Sequence, residues 1–329
     1  MTGTCSQRIL LATVLLFASL NADTDVFGIT KLQPSKSPAL EWDSRHWAQG
    51  GKRTLNGVDP VDPTGWSRMR GDTQLKEVDG AGVLRMGGVQ PRIYFMAAAG
   101  KPLFFRDVEV TGYFRRVGID GATNGGFMVG VRAHSEGHTE TDHCNASTYY
   151  AGIRYPGTWI LDKELDHPND SPGKSGRLFP GSQTMPSARW LGFKYLAYNL
   201  PDGKSVKLEI FADTVSDGAP KNGGVWFKMA DIIDKGNWTA PPGDCGYPGN
   251  TIVTEGGGVV FFRNTGAEEA DYKMVTIREI APGTTALAAP MRQAGIPGWK
   301  GFPPAPAFAF PAGDRLNDAR GRAIPPLRP

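Results

Sequence analysis

The chain has 329 residues, with 43 glycines, 26 prolines, 21% charged residues and a formal net charge of +3. This length suits one large β domain or two small ones, and so much Gly and Pro suits many short strands joined by turns. With no Lys/Arg run and so small a net charge, nothing points to nucleic acid or an anionic membrane as partner.

Residues 1–22 read as a signal peptide. Arg8 precedes the apolar run Ile9–Leu20, which is too short to span a bilayer, and Ala22 offers a cleavage point. The expectation is a secreted protein with no membrane span. Cleavage removes Cys5 and leaves Cys144 and Cys245, which an oxidising compartment would join as one disulfide. Closing a loop of about 100 residues is worth about 4–5 kcal/mol in the chain-entropy model. Asn145-Ala146-Ser147 and Asn237-Trp238-Thr239 are glycosylation acceptors in a eukaryotic host.

Residues 23–80 are interrupted by Pro34, Pro38, Pro60 and Pro63 and predict an edge strand or two among long loops. Within them Trp42 and Trp47, beside Arg45 and His46, read as a Trp pair covering one end of the core. From Gly82 the strand signals become regular: Val83–Met86, Arg92–Ala97, Asp107–Arg116 and Gly126–His134. Thr148–Tyr155 and Trp159–Leu165 follow, separated by Pro156-Gly157 as a hairpin. Ser171–Pro186 reads as a loop. Trp190–Leu200 and Ser205–Asp213 form a second hairpin around Pro201-Asp202-Gly203. Val225–Met229 predicts a short strand before a helical turn at Met229–Ile233, and Gly258–Arg263 and Tyr272–Ile280 close the domain.

About a dozen short strands with almost no helical period predict an all-β, antiparallel two-sheet jelly-roll sandwich over residues 23–281, acting as a monomer. Residues 282–329, rich in Pro, Ala and Gly, read as a low-complexity tail. Trp159 and Tyr195 are expected in the core.

Strand alternation predicts one polar sheet face carrying Glu109, Tyr113, Arg115, Arg132, His134, Tyr150, Arg154, Lys194, Tyr198 and Glu209. On Gly126–His134 it sets Arg132 and His134 on one side and Phe127, Val129, Val131 and Ala133 on the other. The stretch Arg132–Pro168 adds His138, His143, Tyr149, Lys163, Glu164 and His167. These side chains suit β-elimination on a uronic-acid polymer, which needs a base, a cation beside the carboxylate and an acid for the leaving oxygen. His134, His138, Tyr150, Arg132, Arg154 and Lys163 are the catalytic candidates. Tyr149, Glu109, Tyr113, Arg115, Lys194, Glu209, Glu164 and His167 are the sugar-contacting ones. The expected partner is an acidic polysaccharide.

Three alternatives stand beside elimination. Carbohydrate binding without chemistry needs only the polar and aromatic side chains. Glycoside hydrolysis needs two facing carboxyls, for which Glu109, Glu209 and Glu164 are available. Metal binding by His134, His138 and His143 matches no strong ligand spacing, and no cofactor is required. Calcium could be held for structure by Asp23, Asp25, Asp120 or Asp271. The bland reading of Lys163, Glu164 and His167 is a strand-end salt bridge and a loop cap.

The strand succession from Gly82 to Ile280, ending in GVVFFRN and YKMVTIREI, resembles concanavalin A-like jelly rolls. That resemblance implies two curved stacked sheets, the concave one holding carbohydrate. Gly137–His138, Cys144, Tyr149–Tyr150 and Lys163–Glu164 with His167–Pro168 resemble a set of secreted proteins with no assigned activity. The chain lacks the E-x-D-x-x-E strand of laminarinase-like glycosidases and the Q-I-H and Y-F-K-A-G-V-Y patterns of jelly-roll alginate lyases.

Overall fold

The computed structural model describes residues 23–283 except 71–72, 97–104, 119–124, 135–142, 168, 172, 180–183, 240, 242–244 and 267–268. The expectations for the leader, for His138 and Asp120, and for the tail from 284 onward concern residues outside the described ones.

The N-terminal part supplies β1 (Glu41–Asp43), β2 (Arg53–Thr54), β3 (Ser67–Met69) and β4 (Leu75–Val78). Then come β5 (Leu84–Gly87), β6 (Arg92–Met96), β7 (Val108–Val117) and β8 (Gly126–Ala133). The middle contributes β9 (Thr148–Arg154), β10 (Thr158–Asp166), β11 (Asn169–Asp170) and β12 (Lys174–Arg177). The C-terminal part adds β13 (Leu191–Asn199), β14 (Val206–Asp213), β15 (Phe227–Asp234), β16 (Val259–Thr265) and β17 (Glu269–Glu279). Among the described residues the only helical turns are of the 3-10 type, at Ser44–Ala48 and His143–Asn145.

These strands form two antiparallel sheets. The first runs β15-β14-β13-β7-β17-β5-β4-β2, with β1 also on β17; the second runs β11-β10-β9-β8-β16-β6-β3, with β12 on β10. Alternation explains the packing. Val108, Val110 and Phe114 of β7 meet Phe127, Val129 and Val131 of β8 in one core between the sheets. Phe114 and Phe127 stack with centroids 4.1 Å apart, and Phe193 sets its edge on Phe127 at 5.1 Å. Each such ring contributes about 1.5–3 kcal/mol by leaving water. The result is an all-β jelly-roll sandwich, the architecture that the closing strands β16 and β17 resemble. Trp42 and Trp47 close one end of the core, and Tyr195 lies fully within it. Trp159 packs against the core from a half-buried position.

Three local expectations are corrected. No helical turn follows Met229, because Phe227–Asp234 pairs with β14 as β15, with a bulge at Met229. The loop over Ser171–Pro186 contains β12, an added edge on β10. Most consequential is β8, whose alternation stops at Arg132. The register against β16 shifts between Val259–Ala133 and Phe261–Gly130, and Arg132 takes φ of 60°. Such a bulge carries an extra residue and turns the following side chain to the other face. Ala133 therefore joins the outer-face cluster, and Arg132 turns inward.

Candidate functional site

The structure distributes the sequence-derived candidates over three places. The first is the interior, at one end of the sandwich. Arg132 is fully buried there, donating Nε to Arg106 O at 2.7 Å and Nη1 to Asn199 Oδ1 at 2.9 Å and Val253 O at 2.6 Å. Burial pulls its pKa down, and Asp107 pulls it partly back. Lys163 is equally buried and donates to Asp234 Oδ2 at 3.0 Å, Thr251 O at 2.9 Å and Trp238 O. The Tyr149 hydroxyl donates to Asp234 Oδ2 at 2.7 Å and accepts from Val253 N at 3.2 Å, and burial raises its pKa. All three side chains thus hold the segment between Trp238 and Val253 to the end of the sandwich. The Cys144–Cys245 disulfide ties the same segment to the turn before β9.

The second place is the outer face of the first sheet. Residues 23–35 cross it as a strap. Glu109 lies at its centre, fully buried, accepting from Lys194 at 3.3 Å, Arg278 at 2.5 Å and the backbone N–H of Leu32 at 3.1 Å. Tyr113 donates to Asp213 at 2.8 Å, and Arg115 to Asp271 at 2.7 Å while lying over Trp190. Glu209 accepts from Tyr198 at 3.0 Å and Lys228 at 2.5 Å. The solvent-lined polar face expected here is instead covered and ion-paired, because the N-terminal segment lays Ile29 and Leu32 on Tyr113, Trp190, Leu196 and Phe211.

The third place is the outer face of the second sheet. Here Tyr150, Glu164 and His167 do come together, with Arg154 on the same face four residues further along β9. Tyr150 donates to Glu164 Oε2 at 2.5 Å, and His167 Nδ1 lies 2.6 Å from Glu164 Oε1. Asp162 stands directly across from Tyr150 in the β9–β10 pairing and shares its face with Glu164. Asp162 accepts no hydrogen bond from any described residue. Burial pushes its pKa up to about 6, while Arg154 and Arg263 oppose that rise and Glu164 adds to it. Register extends the row: Tyr150 faces Gly130, Gly130 faces Phe261, and Phe261 faces Tyr94. The neighbouring row holds Met128, Arg263 and Arg92. The guanidinium of Arg263 lies 5.5 Å from the Tyr150 ring centre, and that of Arg92 lies 5.9 Å from the Phe261 ring centre. Small residues make this stacking fit: a Cβ on Gly130 would sit 2.4 Å from the Phe261 ring.

Sequence reasoning passed over Asp162, Arg92 and Arg263. Asp162 was legible in principle, since Asp162, Glu164 and Asp166 alternate along β10 and so share a side, an unusual acidic row for a strand. The arginines were not, because only register puts them beside each other. His134, with Nδ1 2.6 Å from Ser147 Oγ, is exposed just past β8, away from Arg132.

The remaining candidates have other partners. His143 lies with Cys144 and Cys245 in the one His/Cys/acid grouping of metal-binding proximity among the described residues, but the disulfide occupies both sulfurs. Asp25 caps Phe27 N and Ile29 N at 2.9 Å, Asp23 pairs with Lys31, and Asp271 is held by Arg85 and Arg115. Asn145 and Asn237 are exposed. Among the described residues no helix is long and apolar enough to cross a membrane.

No family model matches the chain, and no curated protein sequence matches it. Among solved structures the chain is similar to the VIP36 exoplasmic/lumenal domain in its Ca2+/Man-bound form. The TM-score is 0.40 at 12% identity, covering 74% of this chain and 94% of that one. It is similar to winged bean acidic lectin complexed with methyl-alpha-D-galactose, with a TM-score of 0.38 and 8% identity over 74% of this chain and 98% of that one. The metal-free Emp46p carbohydrate recognition domain gives 0.38 and 13% identity over 69% of this chain and 94% of that one.

Proposed function

We propose that this chain is a secreted carbohydrate-binding domain whose site is the outer face of the second sheet, around Asp162, Tyr150, Arg154 and Arg263, and that its ligand is acidic. The observation that carries this reading is the state of Asp162 and its neighbours. On the first sheet's outer face the buried charges are paired; here a half-buried carboxylate has no hydrogen-bond partner among the described residues and feels the charges of Arg154 and Arg263, the latter lying over the Tyr150 ring. Sugar sites are built from a few converging polar groups; the Tyr150 and Phe261 rings are 3% and 0% exposed and back the site, so the sugar would meet the half-buried Asp162, Arg154 and Arg263. The disulfide supports an oxidising setting.

Binding is favoured over β-elimination. Elimination needs its base, acid and cation around one sugar ring. Arg132 and Lys163 face the interior and are consumed there, whereas Tyr150 faces out. One observation favours a second reading, glycoside hydrolysis. Asp162, with its pKa near 6, and Glu164, held by Tyr150 and His167, are two carboxyls of unlike environment on one strand face.

A glycan array probed with the purified protein tests the binding reading. Binding to a subset of oligosaccharides is expected, with loss in Asp162→Ala and Arg154→Ala and retention in Lys207→Ala on the opposite sheet. Unchanged binding in the first two variants would move the site elsewhere. Release of reducing ends from a bound glycan, abolished by Asp162→Asn, would establish hydrolysis in place of binding alone.

A further inference from the structure

Arg92 and Arg263 stand directly opposite each other on β6 and β16. Like charges in that relation repel, and a sheet face normally places a carboxylate between them. None is there. Arg92 is only 4% exposed, yet among the described residues its Nε and Nη1 have no hydrogen-bond partner, and its Nη2 makes one long contact of 3.4 Å to Gln90 Oε1. Arg263 has an unpartnered Nε and spends Nη2 on the thioether of Met128 at 3.1 Å. No carboxylate among the described residues forms a salt bridge with either guanidinium.

A buried guanidinium without an acceptor is costly, since its donors have left water for nothing. The two arginines buried more deeply than Arg92 avoid that cost. Arg132 has carbonyl and amide oxygens around it, and Arg278 has Glu109. Arg92 differs in that its side chain borders the candidate site. Its ring partner Phe261 adjoins Gly130, which faces Tyr150. Two forked donors facing each other across a strand pair match one oxyanion, which accepts several N–H groups at once.

We infer that Arg92 and Arg263 form the seat of an oxyanion carried by the sugar, a carboxylate or a sulfate ester, with Gln90 as the side chain the anion displaces. This rests on the carbohydrate reading above and assigns its acidic specificity to a residue pair. Charge-assisted hydrogen bonds of this kind correspond to about a tenfold to hundredfold gain in affinity.

The test compares wild type with Arg92→Met, Arg263→Met and Arg92→Lys. Thermal denaturation is followed in sodium sulfate and in sodium chloride at matched ionic strength. Affinities are measured for a uronic-acid oligosaccharide, a sulfated one and a neutral counterpart. Sulfate is expected to raise the wild-type midpoint above that in chloride, and Arg92→Met is expected to abolish the difference. In chloride, Arg92→Met should melt no lower than wild type, since it removes an unpaired buried charge. The ratio of acidic to neutral affinity should fall about tenfold or more in either Met variant, with Arg92→Lys falling between. Preference for the uronate identifies a carboxylate as the seated group, and preference for the sulfated glycan identifies a sulfate ester. If sulfate acts equally on wild type and Arg92→Met, or acidic and neutral glycans bind wild type alike, the seat is overturned while carbohydrate binding stands. If no glycan binds but the sulfate effect disappears in Arg92→Met, the seat stands and the carbohydrate reading falls. Should Arg92→Met fail to fold, Arg92 has a structural role and the seat is overturned unless Arg263→Met alone abolishes the sulfate response.

Discussion

The two outer faces of the sandwich carry similar side chains and treat them in opposite ways. On the first sheet Glu109, Lys194 and Arg278 are buried beneath residues 23–35, and each charge has an opposite one within 3.3 Å. On the second sheet Arg92, Arg154, Arg263 and Asp162 have no such partners among the described residues. A charge that has found its partner inside the fold is spent on stability. A charge left beside an aromatic row with no partner costs stability, and it is retained most economically where something else supplies the partner.

The contrast predicts unequal responses to substitution. Glu109→Ala should cause the largest loss, about 3–5 kcal/mol in chemical denaturation, because it strands two buried cations and frees the strap. Glycan binding by the folded fraction should remain, and its loss would tie the two faces together. Lys163→Ala should cost a similar amount, since it leaves Asp234 buried without its cation. Limited proteolysis between Trp238 and Val253 would reveal the freed segment.

Asp162→Asn should act in the opposite direction, stabilising the fold by about 1–3 kcal/mol at pH 7. The sign follows from the raised pKa. Folded Asp162 titrates near 6 against an ordinary value of 3.8. Below 3.8 the group is protonated in both states and costs nothing. As pH rises through the window the unfolded chain loses its proton first, so stability falls and the penalty is complete above about 6. The advantage of Asp162→Asn should therefore be absent near pH 3.5, grow between 4 and 6, and then level off. A pH-independent difference would show that Asp162 is solvated like any surface carboxylate. The same titration bears on ligands. Tyr150, Arg154, Glu164 and Arg263 surround Asp162 through strand pairing or charge, and Gly173 closes on it from the edge. Protonated Asp162 still offers a sugar hydroxyl the hydrogen bonds that Asp162→Ala lacks, and it no longer competes for Arg154 and Arg263, so an acidic glycan should bind more tightly below pH 6 than above it.

Two smaller effects complete the series. Gly173→Ala would bring a Cβ to 2.3 Å from Asp162 Oδ1 and should weaken glycan binding several-fold by displacing the carboxylate, with little change in melting temperature. Lys207→Ala breaks an ion pair at the edge of the covered face whose Asp231 is 41% exposed, and should cost under about 1 kcal/mol and leave binding intact.

Much of the scaffold was legible from residue pattern. Alternation located β7, β8, β9, β10, β13, β14, β16 and β17 to within a few residues, because a strand with one buried side must repeat every second residue. Cysteine count under an oxidising assumption identified Cys144 with Cys245, and the structure joins them. The helical turn expected at Met229–Ile233 failed because Ala230–Ile233 pair with β14 beyond a bulge at Met229, a gain that no local signal announces.

The candidate site divides along the same line. Residue types alone pointed to the stretch Arg132–Pro168, with its Tyr, Arg, His and acids, and set Tyr150 and Arg154 on one side. Where those side chains point was decided in three dimensions. One bulge at Arg132 sends an arginine inward, pairing with Asp234 commits Lys163 to the interior, and a strap more than seventy residues away in sequence covers Glu109. Strand periodicity assigns a residue to one of two sides, but it does not say which side faces water. That depends on which distant segment buries which face, and here it leaves the second sheet's outer face, with Asp162 and its arginines, as the place where charge is still unpaired.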